Sequence, residues 1–176
     1  MITRLISGGQ TGADRAALDA ARELGIETGG WVPRGRRAED GRVPECYPNM
    51  KETDSADPAV RTECNVRDSD GTVVFSHGEV SGGTKWTVEV SGRLRKPLLC
   101  LDLSTQPMEA AADRLLEWTA AEGVEVLNVA GPRASEDAAI HSAVRAVLGL
   151  ALGGTPVDSR RGDDTLDSAK GQRFDD

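Results

Sequence analysis

Two short stretches of this chain carry residue types that bind anions. Ser81-Gly82-Gly83-Thr84-Lys85-Trp86-Thr87-Val88-Glu89 follows an apolar run that closes at Phe75 and Ser76, and Ser7-Gly8-Gly9-Gln10-Thr11-Gly12-Ala13-Asp14 follows one from Ile2 to Ile6. A glycine turn between a strand and a helix exposes unpaired backbone N–H groups at the positive end of the helix dipole, which favours phosphate or a similar anion. In the first loop Gly8, Gly9 and Gly12 let the backbone close around a ligand. Gln10 and Thr11 add side-chain donors, and Asp14 stands near the helix start. In the second loop Gly82 and Gly83 open the helix, and Thr84 and Thr87, three apart, share a face. The two loops read as two jaws of one anion site. The first loop lacks the Lys of a P-loop and the spacing of a dinucleotide fingerprint, which disfavours ATP hydrolysis and NAD chemistry.

Arginines supply the rest of the anion chemistry. Arg34, Arg36 and Arg37 share a loop with Glu39 and Asp40, and Arg133 follows the turn Gly131-Pro132. Guanidinium groups hold phosphate or molybdate-type oxyanions through forked hydrogen bonds. Arg61 and Glu89 suggest a second possibility. An arginine that orients an anion, beside a glutamate acting as acid/base or stabilising a cationic sugar, can cleave a glycosidic bond. An ordinary solvated ion pair is the competing reading. His77 and His141 are far apart and lack metal-ligand spacing, so no catalytic metal is predicted.

These residues need a scaffold that brings distant turns together. Residues 2–7 predict a strand and 13–24 a helix closed by Gly25; Ile26 to Val32 is a weaker strand. Pro33 to Tyr47 reads as a long polar loop. Residues 58–69 predict a helix capped by Asp57 with Pro58 in its first turn. The pattern continues as strand 72–76, helix 84–94, strand 98–103, helix 108–121 and strand 124–129. Ser135 then caps a last helix to Leu148, with Glu136 and Asp137 in its first turn. Alternation of this kind predicts an α/β fold: a doubly wound, Rossmann-like, mostly parallel sheet of about five strands with helices on both faces. Ligands in such sheets bind beyond the carboxyl ends of the strands, where both glycine loops and the Gly131-Pro132-Arg133 turn should meet. Residues 1–152 read as one ligand-binding domain and 153–176 as a polar, disordered tail.

Composition narrows the function classes. The chain has 176 residues, 38% hydrophobic and 3% aromatic, so its core rests on Val, Leu, Ile and Ala. A net charge of −8 argues against nucleic-acid binding, which needs a basic surface. No apolar stretch reaches the ~20 residues of a membrane span. Cys46, Cys64 and Cys100 form no CxxC and leave one unpaired, which suits a cytoplasmic location, with Cys100 expected in the core.

Several stretches together resemble the molybdenum cofactor carrier family. They are Ile6 to Asp14, Gly29 to Gly41, Arg61 to Thr72, the Gly82-Gly83-Thr84 loop, and Asn128 to Ser135. The matches run in order over residues 2–148. The resemblance implies a Rossmann-like fold within a wider group that includes lysine-decarboxylase-like phosphoribohydrolases. It implies binding and delivery of molybdenum cofactor, a pterin with dithiolene-held molybdenum and a terminal phosphate. It also implies a homo-oligomer, with molybdenum enzymes as recipients. The phosphoribohydrolases carry a Pro-Gly-Gly-x-Gly-Thr-x-x-Glu signature preceded by an Arg. Gly82, Gly83, Glu89 and Arg61 match it, but Ser81 replaces the Pro, Trp86 stands where Thr is expected, and Thr87 is displaced by one.

The leading expectation is a binding protein, not an enzyme, for molybdenum cofactor (molybdopterin) or a related small-molecule anion. Its site residues are Gly8, Gly9, Gln10, Thr11, Gly12, Asp14, Arg34, Ser76, Gly82, Gly83, Thr84, Thr87, Gly131 and Arg133. The alternative is hydrolysis of the N-glycosidic bond of a nucleoside monophosphate through Arg61 and Glu89. A third is a nucleotide sensor that binds without turnover.

Overall fold

Small residues let the first helix lie close on the sheet. In the computed structural model, which describes residues 1–154, β1 (Arg4–Ile6) leads through the first glycine loop into α1 (Ala13–Glu23). Ala13, Ala16, Ala17, Ala20 and Ala21 of α1 are buried. The helix closes where Gly25, at φ 68°, lets Ile26 N–H reach Ala21 O at 2.8 Å. β2 (Glu27–Val32) follows, then a hairpin of β3 (Arg37–Ala38) and β4 (Gly41–Arg42), then β5 (Met50–Glu52). α2 (Pro58–Arg67) is capped as its sequence predicts, Asp57 Oδ1 accepting from Ala59 N–H at 2.9 Å. The remaining elements are β6 (Gly71–Ser76), α3 (Gly82–Arg93), β7 (Leu98–Asp102), α4 (Met108–Ala121), β8 (Val126–Ala130) and α5 (Ile140–Leu152).

Six strands form one parallel sheet in the order β5-β2-β1-β8-β6-β7. Helices α1, α4 and α5 pack together on one face and α2 with α3 on the other. The main core lies under the three-helix face, where Leu5, Phe75, Leu101, Leu115, Leu127 and Leu148 are fully buried. Each such side chain contributes roughly 1.5–3 kcal/mol. A second, smaller cluster of Leu18, Val32, Val43 and Tyr47 pins the segment after β2 to the body.

The strand order has a simple origin. Counted from β6 instead of β1, the sheet reads 2-1-3-4-5-6 from β7 to β5. That is the flavodoxin-like doubly wound order with its switch point between β6 and β8. The chain therefore runs through a familiar sheet from a different starting strand, and its last strand lies in the middle.

Four expectations are corrected. The sheet has six strands, because Met50–Glu52 pairs with β2 at the edge. The loop from Pro33 to Tyr47 contains the β3–β4 hairpin. The last helix starts at Ile140, not at Ser135, whose hydroxyl donates to Glu39 instead of capping a helix. Cys100 is exposed, because β7 is an edge strand that turns Leu99 and Leu101 toward the core and Cys100 away from it. The tail expected to be disordered lies, from residue 155, outside the described residues.

Candidate functional site

At the carboxyl ends of β1, β8 and β6, three connections converge on a small open cleft. Gln10 and Asp14 line it from the first loop and α1, and Arg61 and Thr62 from α2. Gly83, Thr84 and Thr87 come from α3, and Ala130, Gly131, Arg133 and Glu136 from the end of β8 and its turn. A larger hollow lies at the amino ends of β1, β2 and β8. Ile2, Ile26, Leu116, Val124 and Leu152 line it with Thr119, and among the described residues it has no arginine to hold an anion.

The charged groups of the cleft are held in different ways. Asp14 is 4% exposed, and its Oδ2 accepts from Gln10 N–H at 3.2 Å and faces Arg61 Nη1 at 3.4 Å. Burial pushes its carboxyl above the ordinary value of 3.8, and Arg61 and the N–H groups of Gln10 and Gly8 offset only part of that push. The Arg61 guanidinium lies flat over Gly8, where a Cβ would stand 1.8 Å from Nη1. Its Nε is buried with no hydrogen-bond partner. Thr87 Oγ1 donates back to Gly83 O at 3.1 Å, which holds its methyl and hydroxyl on the cleft side of α3. Arg133 Nε lies 3.5 Å from Glu136 Oε1 and 3.9 Å from Glu39 Oε2.

A polar seam ties the β3–β4 hairpin to the cleft rim. Glu39 accepts from the hydroxyls of Thr11 and Ser135, and from Ser135 N–H at 3.2 Å. Those bonds, the Ser135 hydroxyl first, hold its carboxyl below the usual carboxylate range. Arg15 reaches Gly9 O at 3.1 Å and grips Asp40 through both terminal nitrogens, which lowers the Asp40 carboxyl. Gln10 Oε1 accepts from Glu39 N–H at 2.9 Å.

Of the residues expected at the site, Gln10, Asp14, Arg61, Gly83, Thr84, Thr87, Gly131 and Arg133 line the cleft together. Gly8, Gly9, Thr11 and Gly12 lie beneath or beside it as packing and tethering positions, and Gly82 borders it. Arg34 is exposed, and its backbone bonds Ser55. Ser76 is buried at the end of β6, its carbonyl accepting from Leu103 N–H. Arg36 is buried and donates to Val43 O and Pro44 O, so it shapes the loop after β4. Glu89 is exposed on α3 and does not line the cleft. His77 Nδ1 lies 2.6 Å from Asp137 Oδ2. Among the described residues, no group of three His, Cys, Asp or Glu side chains could hold a metal ion. No described helix is long and apolar enough to cross a membrane. Sequence reading missed Glu136 as a lining residue, because it was placed in a helix that starts later. It also missed the Arg15 tie, which has no local signature.

A parallel sheet with an arginine- and threonine-lined cleft at its switch point defines a Rossmann-like α/β protein. The profile of cpYpsA, the circularly permutated YpsA SLOG family, matches residues 5–152, and the chain belongs to that family. The sheet order described above has the form of such a permutation. A crystal structure from Syntrophus aciditrophicus, named a "putative molybdenum carrier protein", is 49% identical. It superposes with a TM-score of 0.84, covering 86% of this chain and 95% of that one. The resemblance read from the sequence therefore holds, as does the expected Rossmann-like sheet. No curated protein matches the chain.

Proposed function

We propose that this protein binds a phosphate-bearing small molecule in the switch-point cleft, and that the ligand is molybdenum cofactor carried as cargo. The observation that carries this reading is the convergence of Arg61 and Arg133 with the Thr84 and Thr87 segment of α3 on one cleft. Two guanidinium groups and a helix start suit a terminal phosphate. Gln10 and the carboxylate of Asp14 suit the polar edge of a pterin, whose N–H groups donate. Among the described residues the lining contains no Cys or His, so the dithiolene of the cofactor would keep its molybdenum while the protein holds the organic part. The 49% identical neighbour's name supports the same cargo. A cytoplasmic homo-oligomer that hands its ligand to molybdenum enzymes belongs to this reading. Exposed Met108, Leu116 and Leu150 on α4 and α5 support self-association.

Titration of the pure protein with molybdenum cofactor should saturate. Absence of binding by cofactor, molybdopterin and molybdate at ~0.1 mM, an affinity of only ~5 kcal/mol, would sink the reading. Light scattering of the same samples reports the oligomeric state.

Hydrolysis of a nucleoside monophosphate is the second reading, favoured by the place of Arg61 in the cleft. Its acid would have to be Asp14 or Glu136, since Glu89 points elsewhere. Release of free base and ribose 5-phosphate is the deciding assay. A nucleotide that raises the melting temperature without being consumed would favour a sensor instead.

A further inference from the structure

The cleft contains a negative charge of its own at the place where a ligand anion would sit. Glu136 Oε2 accepts from the Arg133 backbone N–H at 3.2 Å, and its Oε1 lies 3.5 Å from Arg133 Nε. Across the cleft, a Cβ at position 82 would stand 3.8 Å from the same Oε1. One carboxylate thus faces both the site arginine and the first residue of α3. Ser81, at the N-cap of α3, makes no side-chain capping bond. Glu136 also sits in the turn between β8 and α5, not in a helix that would fix it.

The other charges around it complete the account. Arg61 and Asp14 face the cleft from α2 and α1, and Glu39 approaches Arg133 from the hairpin. The side chains of Arg133 and Glu136 are 39% and 43% exposed, so their pairing is weak and readily exchanged. A departing Glu136 carboxylate is already half solvated and loses little by moving out. A singly charged ligand replaces like with like and gains almost nothing. A doubly charged phosphate monoester gains, because its attraction to Arg133, Arg61 and the helix start scales with its charge.

We propose that Glu136 is a built-in competitor for the anion position, displaced by phosphate dianions and retained against carboxylates. The site then selects its ligand class by charge. This rests on the reading of the cleft as an anion site, and the test separates the two.

Inorganic phosphate and acetate are titrated calorimetrically into the wild-type protein, Glu136→Gln, Glu136→Ala and Arg133→Ala at about pH 8, where phosphate is doubly charged. Melting curves confirm that each variant is folded. Both Glu136 variants should bind phosphate about tenfold tighter than wild type and should begin to bind acetate, while Arg133→Ala binds phosphate more weakly. Wild-type binding of phosphate as tight as, or tighter than, that of both Glu136 variants overturns the competitor role and leaves the anion site standing. No phosphate binding by any of the four proteins overturns the anion-site reading and this inference with it.

Discussion

The two glycine loops look alike in sequence and do different work in the fold. In the first, glycine is demanded by packing. A Cβ on Gly12, at φ 76°, would stand 2.3 Å from Pro132 O, and one on Gly8 would run into the Arg61 guanidinium. That loop is also tied by Arg15, Glu39 and Asp40. In the second, a Cβ on Gly83 would meet nothing within 4 Å, and Gly82 and Gly83 are exposed. The first loop braces the site and presents Asp14 and Gln10; the second leaves its backbone open to a ligand. A glycine motif between strand and helix therefore has two physical meanings. Only the surroundings of the missing Cβ tell them apart.

The contrast breaks most sharply at Gly12. Gly12→Ala places a methyl against backbone at a strained φ and should cost roughly 3 kcal/mol of stability, read by urea unfolding. A loss under about 1 kcal/mol would show that the first loop is not close-packed. On the open side, Arg133→Ala should leave the melting temperature nearly unchanged. It should weaken binding of the proposed phosphate-bearing ligand about ten- to hundredfold, as loss of a charge-assisted hydrogen bond does.

Asp14 sharpens the bracing role through pH. Its carboxyl is raised in the folded protein, burial being the larger cause. Its contribution to stability is complete below the ordinary carboxylate range and is lost as the pH climbs through the raised value. Asp14→Asn lacks that titration, so its melting temperature should gain on wild type as the pH rises from ~4 to ~7. A constant difference over that range contradicts the assignment. The smallest effect belongs to Gly83→Ala, which should alter stability by no more than about 1 kcal/mol, since helix propensity favours Ala there. A methyl on the cleft surface should still reduce affinity measurably in the same titration. A large stability loss instead would erase the distinction between the loops.

Much of this was legible from local pattern. α4 falls at Met108–Ala121 as its spacing predicts, and α2 carries the Asp57 cap and Pro58 that announce it. Arg61, Thr84, Thr87 and Arg133 were legible as site residues because they sit at fixed distances from turn signals. The failures share one cause. Met50–Glu52 is a three-residue polar edge strand whose only partner is β2, so nothing local marks it. Ser135, Glu136 and Asp137 spell a helix start. Yet Ser135 is engaged by Glu39, 96 residues away, and Glu136 by Arg133, so the caps serve tertiary contacts and α5 starts later. The same reach across the chain hid Glu136 as a cleft residue. Cys100 misled because four apolar residues in a row, Leu98 to Leu101, do not reveal that their strand has no neighbour on one side.

The central position of β8 has a consequence for how the protein is made. β1 pairs with β6 only through β8, which bonds both. Until residues 126–130 have been synthesised and docked, the sheet is two separate fragments, β5-β2-β1 and β6-β7, each with an open edge. Closing them is a late, long-range step of the slow kind. The turn carrying Arg133 and Glu136 arrives with that same strand. A nascent or truncated chain therefore has no assembled cleft, and a ligand of that cleft can bind only a protein that has finished folding.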